Sequence, residues 1–313
     1  ISLSNLSFED KFGIFEVGMS KAGEIKNLTK LIKPNIGIIT NIGEAHIENF
    51  KNIHGIAKAK SEIIENIKAG GTVILNRDDK FFNYLYRKAR AYKLKVSSFG
   101  NHKKSDICLK KIIKKRKISK IFIKIHNELI NLKIKDLNIH NVLASIAVLK
   151  ELKIDIDRAK TKFKNFELPE GRGKKYSIKK YNKKFNFIDE SYNANPLSVK
   201  IAVNRLSLIK KKKFKKYLVL GEMLELGSKS KKYHEELSKV INKSDIDKVF
   251  ITGKKAIFTY KNLKKNKRGN ILQNIEDIDF SLDKMISNND YLMIKGSNAT
   301  GLNNFSKKMV KGI

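Results

Sequence analysis

Four segments concentrate polar and charged residues where short apolar runs end. They are Glu16-Val17-Gly18, Asn41-Ile42-Gly43-Glu44-Ala45-His46, Asp189-Glu190-Ser191-Tyr192-Asn193-Ala194-Asn195-Pro196, and Gly221-Glu222-Met223-Leu224-Glu225-Leu226-Gly227. In open α/β sheets ligands sit at the carboxyl ends of strands, so polar residues at such places can act on a bound molecule. A carboxylate and a neutral imidazole, such as Glu16 and His46, could hold Mg²⁺, which prefers oxygen ligands and shares its shell with phosphates. Taken alone, His46 reads more readily as a hydrogen-bonded loop histidine. Lys58, Lys60 and Glu62 follow on a helical stretch. A lysine in a partly dry site has a lowered pKa and becomes a nucleophile, even towards CO₂; on spacing alone these lysines read as solvated. The pattern G-x-x-x-x-G-K-[ST], whose amides and lysine cradle phosphates, is absent from the sequence, and Gly171-Arg172-Gly173 does not extend into G-x-G-x-x-G.

The elements that must carry these loops read as an alternation. Phe12 to Val17, Ile36 to Asn41 and Thr72 to Asn76 have the character of buried strands, with helical spacing over 23–32 and 55–67 between them. Such alternation predicts a largely parallel sheet with helices on its faces. Residues 106–134 alternate in short runs, as in Ile121-Phe122-Ile123-Lys124-Ile125, and predict antiparallel strands. Helices are expected over 140–152 and 157–166. Leu168-Pro169-Glu170-Gly171-Arg172-Gly173 is the best linker candidate. Beyond it the alternation restarts, with strands at 185–189, 217–221, 249–253 and 291–295 and helices at 196–208, 232–241 and 303–310. The expectation is two α/β domains divided near residue 169.

The chain has 313 residues, enough for about two domains with cores of their own. Its single cysteine, Cys108, excludes a disulfide framework and a cysteine-based zinc site, and fits a reducing cytosol. No apolar run approaches the ~18–20 residues a membrane-spanning helix needs. The net charge of +36 invites a nucleic-acid reading, but the charge is overwhelmingly lysine, and base readout leans on the arginine fork. The runs 110–117 and 210–216 are therefore expected to be solvated faces and turns. The sequence opens with Ile1 and no initiator Met, and the expectation is a chain truncated at its start.

Together these residues resemble a known family. Glu16-Val17-Gly18 with Gly23-Glu24-Ile25, Thr40 to Glu48, and Ala57-Lys58-Ala59-Lys60-Ser61-Glu62-Ile63 are similar to the central domain of the Mur ligases. Asp189 to Pro196, Leu220 to Gly227 and Lys295-Gly296-Ser297 resemble one branch, the ligases that join D-alanyl-D-alanine to UDP-N-acetylmuramoyl-tripeptide. The resemblance implies a central ATP-binding domain over 1–169, incomplete at its N-terminus and lacking its phosphate loop. It implies a Rossmann-like C-terminal domain over 170–313 that receives the incoming amino acid or dipeptide. It further implies ATP and Mg²⁺, an acyl-phosphate intermediate, a monomer in the cytoplasm, and no specific nucleic-acid partner. Glu16, His46 and Lys60 would be the catalytic and metal-holding residues, Lys60 matching a lysine that the family carbamylates. Asn141, Arg172, Glu190 and Asn193 would meet the nucleotide, and Lys295 and Ser297 the dipeptide. Alone, the fragment is expected to be inactive. The sequence departs from the family at Glu190 and Glu222, where Asp is frequent. It departs also at Ala144, where the His-Asn-x-x-Asn pattern begun by His140-Asn141 has its second Asn, and at Asn298, where Arg is usual. A sister ligase, a basic nucleic-acid-binding protein and an inactive remnant are the alternative readings.

Overall fold

The computed structural model describes residues 3–114, 118–135, 137–210 and 213–312. Contacts divide the chain into two compact units, Ile1–Ile42 with Asn49–Phe166, and Gly43–Glu48 with Glu167–Ile313.

The first unit carries a six-stranded sheet in sequential order: β1 (Ile36–Ile39), β2 (Thr72–Asn76), β3 (Lys95–Gly100), β4 (Ile107–Lys114), β5 (Ser119–Ile125) and β6 (Glu128–Ile134). β1 to β4 run parallel, and β4 to β6 form an antiparallel meander. β2 is buried along nearly its whole length, as the continuous run Thr-Val-Ile-Leu requires of a parallel strand covered on both faces. In β5 only Ile121, Ile123 and Ile125 are buried, the period of two expected of a strand with one wet face. The helices are α1 (Glu24–Ile32), α2 (Ile53–Lys60), α3 (Phe82–Ala91), α4 (Ile139–Glu151) and α5 (Ile156–Asn165). The helical stretch expected over 55–67 tightens after Lys60 into a 3₁₀ run, Ser61–Asn66. From that run Glu62 reaches back to cap α1, accepting from Gly23 N at 2.8 Å and Lys26 N at 3.1 Å.

One expected strand does not form. Residues 12–17 have no regular structure, and Phe12 and Ile14 are exposed. A strand exists only by pairing, and β1 is laddered to β2 alone.

The second unit holds a sheet in the order β11-β10-β9-β12-β8-β7. β7 (Lys174–Lys180) and β8 (Lys183–Glu190) form a hairpin; β9 (Lys216–Gly221), β10 (Lys248–Thr252), β11 (Arg268–Leu272) and β12 (Tyr291–Lys295) run parallel to β8. Helices α6 (Pro196–Ser207), α7 (Ser230–Lys243), α8 (Ile257–Lys261), α9 (Ile275–Met285) and α10 (Leu302–Lys311) connect them. Phe187, Val219, Phe250 and Ile294 of the strands pack with Ile278, Leu282, Phe305 and Met309 of α9 and α10 into one core. Among the described residues no helix is long and apolar enough to cross a membrane.

Lysine 216 overturns part of the reading of the charge runs. It is fully buried at the head of β9, where its Nζ donates to the carbonyls of Ser207 and Ile209 and meets Asp245 Oδ2 at 2.7 Å. A solvated face has no place for it, because the strand it opens is buried throughout. Residues 115–117 and 211–212 of the two runs lie outside the described residues.

Candidate functional site

In the first unit the polar groups gather at the ends of β1, β2 and β3. Lys60, the last residue of α2, points its ammonium at the Asn41 carbonyl just past β1, with Nζ 3.0 Å from the oxygen. Burial pushes its pKa below the ordinary lysine value, and the Asp79 carboxylate works against that shift. Asp79 itself fastens the loop after β1, since Ile42 N donates to its Oδ2 at 2.7 Å. The spacing-based reading of Lys60 as a solvated lysine is thus corrected. Its neutral form, the one that can attack CO₂, is favoured by the site.

A second cluster lies at the start of α4. His140 Nε2 and Asn101 Nδ2 both meet Asp78 Oδ2, at 3.0 and 2.8 Å. Burial raises the Asp78 pKa, but donors from Asn101, His140 and His102 outweigh it and hold the carboxyl below its usual range. Asn141, next in the helix, is exposed, with only its backbone engaged in hydrogen bonds to Asn138 and Ser145. Ala144 is buried, so no polar group stands at the place of the second Asn.

Glu16 lies in the segment that forms no strand, and its side chain is exposed. Among the described residues no group of three or more His, Cys, Asp or Glu side chains is arranged to hold a metal ion. A Mg²⁺ that keeps waters and phosphate oxygens needs only one or two protein carboxylates, and an exposed carboxylate such as Glu16 is of the right chemistry for that.

The second unit builds its site from the loops after β8, β9 and β12. Asp189 is buried, its carboxylate accepting from Gly171 N at 2.9 Å and from Ser191 N and Oγ at 3.1 and 2.6 Å. It thereby ties the linker Leu168–Gly173 to the loop after β8. Arg172, exposed on that linker, lies with its guanidinium 3.9 Å from the centre of the Tyr192 ring. Glu190 pairs with Arg205 of α6 at 3.2 Å and stands 3.8 Å from Lys295 Nζ. Lys295 is almost wholly buried and donates to the Asn193 carbonyl at 2.8 Å. Burial lowers its pKa, Glu190 opposes that shift, and Arg172 adds to it. Ser297, also buried, donates to Ala194 O at 3.2 Å and accepts from Leu224 N at 2.9 Å. The segment Gly43–Glu48, counted with this unit, brings His46 to Glu225. Glu225 Oε2 is 2.7 Å from His46 Nδ1 but out of line for a hydrogen bond, and both residues have left-handed backbones.

The structure thus joins Arg172, Glu190, Asn193, Lys295 and Ser297 in one constellation. Sequence reasoning missed Arg205, Asp79, Asp78 and His234, which hold loops in place and belong to no recognisable spacing. Only Gly173, which the Arg205–Glu190 pair crowds, could have signalled that a side chain comes close there.

Two family models match: the Mur ligase middle domain over residues 2–149, and the Mur ligase, glutamate ligase domain over residues 176–298. The UDP-N-acetylmuramoyl-tripeptide--D-alanyl-D-alanine ligase of Buchnera aphidicola subsp. Acyrthosiphon pisum is 30% identical, covering 99% of this chain and 68% of its own. The proteins of the same name from Rickettsia prowazekii and Bacillus subtilis are 29% and 28% identical, each over 96% of this chain and 67% and 65% of their own. The chain therefore spans about two thirds of the length of these relatives. A MurF structure from Acinetobacter baumannii superposes with a TM-score of 0.85 at 23% identity, covering 98% of this chain and 66% of that one. The MurF ligase of Thermotoga maritima in complex with ADP follows at 0.82 and 24%, covering 95% and 66%. At these identities the superpositions establish the fold, an α/β architecture of two mixed sheets, while sequence identity along nearly the whole chain establishes the kinship. The chain belongs to the Mur ligase family.

Proposed function

We propose that this chain serves the ATP-dependent joining of D-alanyl-D-alanine to UDP-N-acetylmuramoyl-tripeptide, in cytoplasmic peptidoglycan precursor synthesis. The observation that carries the reading is the 30% identity, over 99% of the chain, to a ligase of that name. ATP with Mg²⁺ supplies the phosphoryl group that activates the tripeptide carboxylate and the charge that offsets the phosphates. Lys60 has the chemistry for its proposed part. Its neutral amine attacks CO₂, a C–N bond forms, one proton leaves, and the resulting carbamate is an anion where a cation stood. Glu16 and that carbamate, both carried by the first unit, would hold the ion. Arg172, exposed and stacked on Tyr192, is free to turn its donors to phosphate oxygens, and Glu190 and Asn193 of the same unit would meet the nucleotide. Lys295 and Ser297, buried and committed to the loop carbonyls of Asn193 and Ala194, would set the wall against which the dipeptide lies.

The test is an amine panel with ATP and UDP-N-acetylmuramoyl-tripeptide, using the protein encoded by the complete open reading frame. ADP is expected with D-alanyl-D-alanine and not with single amino acids. Turnover with a single amino acid would instead assign the sister activity. No turnover with any amine, from a folded protein, would overturn ligation.

A further inference from the structure

The loop after β9 is fastened at three consecutive residues. The Glu222 carbonyl accepts from Ser297 N at 3.3 Å, Met223 N donates to His234 Nε2 at 3.1 Å, and Leu224 N donates to Ser297 Oγ at 2.9 Å. Ser297 holds the loop from the β12 side. On the other side Met223 is tied to the side chain of His234, in the second turn of α7.

His234 is completely buried, and its partners permit a single tautomer. A carbonyl can only accept, so Nδ1, 2.8 Å from Ser230 O, carries the proton. A backbone amide can only donate, so Nε2 presents a bare lone pair to Met223. Thr259 Oγ1 donates to the His234 carbonyl at 2.7 Å, which pins this turn of α7 to α8. The charged groups facing the ring are Glu222 and Lys255, themselves linked by Lys255 N donating to Glu222 Oε2 at 3.1 Å. Burial lowers the imidazole pKa; the Ser230 carbonyl and Glu222 oppose that, and Lys255 adds to it.

We propose that His234 is a positioning residue: as the neutral Nδ1–H tautomer it holds the Met223 amide, and so sets the loop that offers Leu224 N to Ser297 and Glu225 to His46. Protonation would set N–H against N–H at Met223, and an apolar ring would leave that buried amide without an acceptor. Either change releases the loop. The consequence for the dipeptide rests on the function proposed above; the loop's dependence on His234 does not.

Backbone amide exchange of the whole chain, followed by NMR together with the His234 ring signals, tests the proposal. The amides of Met223 and Leu224 are expected to exchange at least about tenfold faster once the ring is protonated, as loss of a buried hydrogen bond implies. The amides of β10 should keep their protection. His234→Gln, whose side-chain carbonyl can accept from Met223, is expected to keep the protection and to lose its pH dependence. His234→Phe is expected to lose protection at every pH, with near-ultraviolet circular dichroism reporting whether the unit still folds. Should it not fold, the Gln variant and the wild-type titration decide. Unchanged Met223 exchange through the ring's titration, or pH dependence surviving in His234→Gln, overturns the proposal. A parallel titration with D-alanyl-D-alanine at pH 7.5 separates the two readings. Failure of the dipeptide to bind counts against the proposed function and leaves the amide result standing.

Discussion

Gly173 shows how one missing side chain shapes a charged cluster. Its φ is +89°, and a Cβ there would stand 2.1 Å from Arg205 Nη1 and 2.6 Å from Glu190 Oε1. The arginine tip can swing aside, but the left-handed backbone stays strained for any other residue. Gly173→Ala is therefore expected to cost about 1–3 kcal/mol and to break the Arg205–Glu190 pair. Urea unfolding measures the first and the Arg205 side-chain NMR signals the second; wild-type stability would refute the strain argument. Lys60 makes the opposite prediction. Because burial lowers its pKa in the fold, the unfolded chain binds its proton more tightly. The charged form burdens the fold at neutral pH, and the burden is lifted as pH rises through the lowered value towards 10.5. In CO₂-free buffer Lys60→Met is thus expected to be more stable than wild type at pH 7, by on the order of 1 kcal/mol. The difference should close as the pH approaches 10.5. A gap that is constant with pH would mean that shape, not charge, sets it.

At the scale of elements, the strands and helices that bury a continuous or periodic apolar face were legible. Thr72–Asn76, Tyr291–Lys295 and the alternation of β5 announce themselves, and the helix expected over 196–208 forms as α6. What was not legible depends on partners far along the chain. The run from Phe12 to Val17 has strand composition and no strand to pair with. The strand-end loops could be located, but Asp189 could not be seen as the knot between two of them. Lys216 is the clearest case, because a lysine within a lysine run looks solvated until its neighbours are known. It clamps the end of α6 and the approach to β10 through Ser207 O, Ile209 O and Asp245. Lys216→Met keeps the volume and leaves two carbonyls and a carboxylate without their donor, a loss of about 2–4 kcal/mol. Lys215→Met, one residue outside the buried strand, is the control, with a change expected within about 0.5 kcal/mol. Equal effects of the two substitutions in urea unfolding would remove Lys216 from this role.

For the whole molecule the question is what a net charge of +36 does. Sequence-specific reading of nucleic acid needs donors in a fixed fork, and four of the arginines are turned inward or onto rings, while Arg87 and Arg90 on α3 and Arg158 on α5 are exposed. Arg205 pairs with Glu190, Arg268 donates to the Leu263 and Lys261 carbonyls, Arg77 lies over Phe82, and Arg172 lies over Tyr192. The outward charge is mostly lysine, on the wet stretch of β4, along α5, and on α7 and α10. Point charges spread over separate elements attract phosphates without distinguishing one base from another. The chain is therefore expected to bind duplex DNA only non-specifically, with Kd on the order of 10⁻⁴–10⁻⁶ M at physiological salt. Affinity should fall steeply and log-linearly as salt rises, with no preference among duplexes of different sequence. Fluorescence anisotropy with two unrelated duplexes across a salt series measures both. A sequence preference that persists at high salt would show that some of these lysines form a true interface. The nucleic-acid reading would then stand beside ligation as a second activity of the same fold.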